Sequence, residues 1–545
     1  MKKLVLFFVL ISVFVLSCKK DDPSPEDSGY NILTGTVTGI TNKSATITGE
    51  LKILNGNNIV TYGHVWSDSH NPTVDFKTKT TFGTANSDIS FTSELTMLMQ
   101  GKEYFIRAYI TDSAGTYYGK EISFKTESSF FEFVVSSNYL QDDSYVQKRA
   151  WVMLYGNNNE LLGIKEISNG QTYSFNPPAN KAKGNYMVQL FSFNNYVSSS
   201  YSDYYMVSAY VNVAPEVWYL GREPGEPITQ IGTNVVSLTD LDLNNYYNWS
   251  AQNQYSYGSY DQYSKTLTFR QYTIQDKIWI SYANENQAPY YKCIENVTPN
   301  LSFTLSSFDF AQMTNYVDIN LQNNTYSYVY IYSEDDLTTD YLEWFECFYK
   351  HSDNQTTVRA YYPGDFFNGY RTSISVYRDN SYESMTKYRG DIPSQFVSLP
   401  VNVSVANENI HNFSATYSGN ADYTSSYWVY YDNFNTTYFR YYVYGSAEDV
   451  KSFSAPDLPY EISFLNEAIL NLNNLSYSGT SFSESNYYNG YIDFIKQIYN
   501  QPNSSNVVRE YYYSKTIYKE DLKNIEMFKE DLEEMQPLPV MHSKR

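Results

Sequence analysis

Hydrophobic and polar positions follow three different rhythms along this chain. The first is a block: after Lys2 and Lys3, residues Leu4 to Leu16 are apolar apart from Ser12, and the block ends at Ser17-Cys18. It is well short of the roughly 20 residues a helix needs to cross the hydrocarbon core of a bilayer. A positive start, an apolar middle and a small residue before the break predict a secretory signal. The second rhythm is alternation. Between Leu33 and Thr126 the runs GTVTGI, SATITGEL, VTYGHVWS, YFIRAYIT and EISFKT are punctuated by Gly, Asn and Ser. That spacing predicts a seven-strand antiparallel sandwich. Alternation continues past Glu127 in VMLYGNN, NYMVQLFSF, YMVSAYVNV, KTLTFRQYTI, IWISYA, SYVYIYS, TSISVY and FRYYVYG. The third rhythm is helical: between Tyr518 and Met535, residues Leu522, Ile525, Phe528, Leu532 and Met535 share one stripe among Lys, Glu and Asp. This predicts a short C-terminal helix docked on the last domain, with a partner-binding helix as the other reading.

The fold class that follows is mainly β, tandem antiparallel sandwich domains ending in that helix. Within the first of them, Tyr62-Gly63-His64-Val65-Trp66-Ser67, then Asn71-Pro72-Thr73, then Tyr104-Phe105-Ile106-Arg107-Ala108-Tyr109 and Ser113-Ala114-Gly115-Thr116 come in order. The series resembles the fibronectin type III-like modules of Bacteroidota surface proteins. The resemblance implies a spacer without catalytic residues, with Trp66 as core tryptophan and Tyr104 as tyrosine-corner residue. His64 and His70 are expected to serve packing and surface there.

Val15-Leu16-Ser17-Cys18 resembles the lipobox of bacterial lipoproteins, and Lys19-Lys20-Asp21-Asp22 resembles the export tag of Bacteroidota surface lipoproteins. The resemblance implies lipidation at Cys18, a membrane partner reached through that lipid anchor, and a place on the outer membrane facing outward. Pro23 to Gly29 is polar with two prolines and reads as a tether. The expected divisions are a signal at 1–17, the tether at 18–31, the fibronectin-like module at 32–126, and β-rich domains at 127–222, 228–388 and 401–545. The segments 222–227 and 389–400 are the linkers. Trp151 and Trp279 each precede a Ser-Phe pair (174–175 and 302–303) at equal distance, from either a repeated sandwich or chance in a biased composition.

Charge narrows the partners. With 59 acidic and 38 basic residues the net charge is −21, which argues against nucleic acid. The remaining cysteines, Cys293 and Cys347, could pair after export, but they could not staple a chain of 545 residues.

Tyrosine is the unusual component, at 59 residues. Tyr326, Tyr328, Tyr330 and Tyr332 must share one strand face, as must Tyr438, Arg440, Tyr442 and Tyr444 with Phe439, Tyr441 and Val443 behind them. Such faces serve packing, sugar stacking or a protein interface. The best binding candidate is the loop-like stretch Asn244 to Tyr263, where Tyr246, Tyr247, Trp249, Tyr255, Tyr257 and Tyr260 mix with Asn, Gln and Asp as in a paratope. No HExxH, GxSxG, P-loop or dinucleotide fingerprint is present, and no cofactor is implied. The acidic residues Asp335, Asp336, Asp340, Glu343 and Glu346 read as a solvated loop, and Ser333 to Asp336 as a weak calcium candidate. The expected function is non-catalytic binding of a glycan or other extracellular ligand. The alternative is a structural subunit of an outer-membrane complex, and behind both stands a glycoside-active enzyme.

Overall fold

In a computed structural model the protein is mainly β and divides into two compact units, residues 1–130 and 131–545. The structure describes residues 29–54, 58–127, 130–140, 146–176, 185–196, 203–221, 223, 229–334, 345–378, 380–388, 390–432, 437–500 and 511–519. The lipobox-like stretch, Cys18 and the expected tether as far as residue 28 lie outside these residues, as do Asp335 to Glu343 and the stripe Leu522 to Met535; the last two tether residues, Tyr30 and Asn31, instead open the first strand.

Among the described residues the first unit holds seven strands. Tyr30–Thr38, Ala45–Ile53 and Ile89–Leu95 form one sheet, and Thr61–Ser67, Glu103–Thr111, Thr116–Tyr118 and Ile122–Lys125 form the other. Alternation puts Ile47, Trp66, Leu95, Tyr104 and Ile106 into a shared core. The Tyr104 hydroxyl accepts the Met99 N–H at 3.0 Å, the bond of a tyrosine corner. Gly63 is required by close approach, since a Cβ there would lie 2.1 Å from the Thr80 carbonyl oxygen. His64 is buried and bonds Ser93, and burial pulls its pKa down to about 4. His70 is exposed and pairs with Glu121 at 2.8 Å.

The second unit is organised around a sheet of twelve strands. From one edge it runs Leu161–Ile167, Val146–Gly156, Tyr186–Tyr196 and Tyr204–Val213. Then come Thr437–Gly445, Tyr423–Asp432, Ser476–Ser485 and Tyr511–Tyr518, and finally Ser381–Lys387, Gly369–Arg378, Tyr326–Glu334 and Glu346–Asp353. This sheet crosses the divisions expected at 127–222, 228–388 and 401–545. Tyr204–Val213 pairs in parallel with Thr437–Gly445, and Ser381–Lys387 pairs with Tyr511–Tyr518, so each expected domain borrows a strand from another. Alternation marks a strand without naming its partner. The expected linker at 389–400 is likewise packed structure from Gly390 onward: Ile392, Phe396 and Leu399 are buried, and the Phe396 N–H donates to Asn320. Of the linker at 222–227, only Glu223 is described.

Smaller sheets cover the large one. Phe131–Val135, Thr172–Phe175 and Val217–Leu220 form one, with the helix Tyr491–Tyr499 contributing to the same core. Residues 232–312 form a local sandwich of two four-stranded sheets around Leu267, Phe269, Ile278 and Ile280. The Trp151/Trp279 repetition has no common topology. Thr172–Phe175 runs antiparallel to its partner strand, whereas Ser302–Leu305 runs parallel to Gly232–Leu238. Tyr518, expected to open the C-terminal helix, ends a strand.

The tyrosine stripes behave differently from each other. Tyr326 to Tyr332 present the expected half-buried face, with Ser327, Val329, Ile331 and Ser333 buried behind it. Tyr442 and Arg440 are instead buried, at 5% and 3% exposure. Their strand lies in mid-sheet, where Tyr442 joins Tyr377, Tyr427 and Tyr518 in one cluster, so that part of the face packs inward.

Candidate functional site

The stretch expected as a binding loop is mostly regular structure: a turn of 3-10 helix at Leu243–Asn245, then the strands Asn248–Asn253 and Ser259–Asp261. That order separates its aromatic residues. Tyr246 packs on Tyr282 at 4.4 Å between ring centroids, and Trp249 meets Tyr260 at 5.7 Å. The Tyr260 hydroxyl donates to Asp242 and accepts from Leu243 N–H, which ties it to the helical turn. Tyr255 lies against Tyr272 at 6.1 Å. Tyr247 and Tyr257 remain exposed, at 50% and 63%.

Tyr247 and Trp249 line a cleft of about 430 Å³, within the range of roughly 300–1,000 Å³ usual for ligand sites. Tyr246, Tyr255, Tyr257 and Tyr260 do not line it. The opposite wall comes from residues that the sequence did not suggest, on the edge strand Glu346–Asp353 and the pair Asn315–Asn320 and Thr357–Tyr362. The cleft therefore joins the local sandwich to the rim of the large sheet.

Two hydrogen bonds fix that junction. The buried Trp279 indole N–H donates to the Glu346 carbonyl at 2.9 Å, and the Glu346 N–H donates to Gln252 at 3.4 Å. A third contact reaches across the mouth. The hairpin turn after Asp276–Ala283 holds Asn286 in the left-handed region, at φ 60°, a conformation asparagine tolerates well. Its side-chain oxygen accepts from Lys350 at 2.8 Å, and the Lys350 ammonium lies 5.5 Å from the Tyr247 ring centroid.

Glu346 corrects the solvated-loop reading at one position. It opens a strand, it is only partly exposed, and it lines the cleft. Burial pushes its carboxyl up to about 7. Asp318 on the far wall is the opposite case: Arg359 bonds both of its oxygens and holds its pKa below the ordinary value. Cys347 also lines the cleft, and it and Cys293 are both free thiols whose pKa values burial raises, that of Cys293 to about 12. Among the described residues no group of His, Cys, Asp and Glu could hold a metal ion.

No family model matches the chain, and no curated protein does. Three solved structures give partial likenesses. The sensor domain of the anti-sigma factor RsgI4 of Pseudobacteroides cellulosolvens is 16% identical over 18% of this chain and 96% of its own, at a TM-score of 0.15. The FN1–FN3 domains of chicken CNTN1 are 9% identical over 66% of this chain and 98% of theirs, at 0.15. The Bacillus anthracis TIE protein is 9% identical over 69% of this chain and 75% of its own, at 0.14. Fibronectin-type domains are thus among the structures it resembles, but scores this low define no shared architecture. What the cleft does has to be argued from its own residues.

Proposed function

We propose that this protein is a surface-exposed lipoprotein of the outer membrane whose cleft binds a glycan without chemical conversion. The observation that carries the binding reading is the cleft itself. An exposed tyrosine and a half-buried tryptophan, Tyr247 and Trp249, stand within one concavity beside the amides of Asn248, Asn286 and Gln287. Flat aromatic faces take the apolar face of a sugar ring, and amides bond its hydroxyls in both directions. The lipobox at Cys18 supports the address, and the fibronectin-like unit supports a role as spacer.

Screening the purified chain on a glycan array tests the binding reading. Tyr247→Ala is expected to weaken a hit roughly tenfold, about 1.4 kcal/mol, with no change in thermal stability, because the ring is half exposed. A loss of stability matching the loss of binding would return Tyr247 to packing. A blank array from folded protein would favour the alternative, a subunit of an outer-membrane complex, which crosslinking and pull-down would then address. The anchor has its own test. Metabolic labelling with a fatty-acid analogue is expected to mark the wild-type chain and leave Cys18→Ser unmarked; equal labelling of both would remove the anchor.

A further inference from the structure

The charges lining the cleft are not all paired. Asp318 and Arg359 are committed to each other through two bonds, at 2.8 and 3.0 Å, with the guanidinium 4.1 Å from the Tyr316 ring centroid. That pair is neutral and internally satisfied. Lys350 differs, because its ammonium donates to the uncharged side-chain oxygen of Asn286, and among the described residues no carboxylate lies within ion-pair distance of it. Glu346 is not its partner. Burial pushes its carboxyl up to about 7, so it is protonated below neutrality, where it offers a donor rather than a negative charge. Among the described residues, the titratable groups that sense its charge are Tyr257, in the turn after Asn248–Asn253, and Cys347 and Tyr349 on its own strand. On the strand paired with its own, Tyr332 stands opposite it, with the Arg371 guanidinium 5.7 Å from that ring, and the strands behind supply the uncharged Trp279 indole and Gln252 amide. A pocket whose Lys350 pairs with no carboxylate among the described residues thus sits in a chain whose net charge is −21.

We propose that the glycan taken by this cleft is acidic, a uronate or a sialate, its carboxylate pairing with Lys350 while a sugar face lies on Tyr247. This rests on reading the cleft as a glycan site. An ammonium on a half-buried side chain, already oriented by Asn286, loses little freedom on pairing, and a ligand carboxylate supplies the ionic partner that Lys350 lacks among the described residues. As pH rises and Glu346 ionises, a second negative charge enters the cleft and opposes the ligand's own.

The test is calorimetry on the full chain with trigalacturonate and sialyllactose, each compared with its methyl ester, which keeps the shape and removes the charge. At pH 6 and low salt the acids are expected to bind roughly tenfold more tightly than the esters. Lys350→Met should erase the preference and Lys350→Arg should retain it. The preference should also shrink between pH 6 and pH 8, and Glu346→Gln should abolish that shrinkage. Equal binding of acid and ester, a preference that survives in Lys350→Met, or one that is flat with pH would overturn the proposal while leaving neutral-glycan binding intact. If neither acid nor ester binds and the array is blank, the glycan reading itself falls, and this inference with it.

Discussion

Replacing Glu383 by alanine is expected to destabilise the second unit by about 3 kcal/mol, the lower end of the cost of breaking a buried ion pair. Glu383 sits on Ser381–Lys387 with a side chain only 3% exposed. Its carboxylate pairs with Arg378 and lies 3.7 Å from Lys515, which stands directly opposite on Tyr511–Tyr518. The two cations are themselves mostly covered, at 24% and 18% exposure. Removing the acid leaves two positive charges close together beneath the segment that carries Phe396 and Leu399, with little water to screen them. Replacing all three residues by apolar ones of similar volume should recover most of the loss, since a buried ion cluster adds little net stability over good packing. Urea unfolding followed by tryptophan fluorescence measures both variants. A midpoint for Glu383→Ala within error of wild type would show that water reaches the cluster and that the pairing contributes nothing.

Glu383 also illustrates what could be read from the sequence. In Ser381-Tyr382-Glu383-Ser384-Met385 the apolar residues stand three apart, so alternation does not mark the strand, and no local feature says that the acid faces inward. That depends on Lys515, more than a hundred residues away in sequence. The first unit was legible as alternating strands, and Trp66 and Tyr104 take the core position and the upstream bond expected of them. The second unit was legible as strands and not as domains, because its large sheet interleaves three stretches of chain. The site followed the same rule. Tyr247 and Trp249 were visible as an aromatic cluster in a polar stretch. Lys350, Glu346 and Asn286 were not, because what makes them a site is the meeting of a hairpin turn with an edge strand. Tyr246 and Tyr260 drew notice for the same composition, yet they serve the sandwich, where a tyrosine packs its ring and bonds its hydroxyl to the turn beside it.

Trp279 is the residue on which fold and site depend together, and Trp279→Ala is expected to cost about 3–5 kcal/mol and to abolish ligand binding. Its strand, Asp276–Ala283, is buried on both faces. Ile278, Ile280 and Tyr282 point into the local sandwich, and Trp279 points the other way, into the cluster beneath the large sheet. There its ring meets Tyr291 at 5.2 Å, Phe367 at 5.5 Å and Phe345 at 6.2 Å, and it is 0% exposed. Truncation would therefore open a cavity between two sheets that no neighbouring side chain can readily fill. Trp279→Phe separates the two roles. It keeps much of the apolar contact but removes the N–H that holds the Glu346 carbonyl, leaving that acceptor short of a partner at a cost of about 1–3 kcal/mol. Since that bond fixes the edge strand carrying Glu346 and Lys350 against the wall carrying Tyr247 and Trp249, affinity should fall more steeply than stability. Urea midpoints and ligand titrations on the same two variants decide the matter. If Trp279→Phe binds as wild type does, the cleft is held by its other contacts, and the indole serves the core alone.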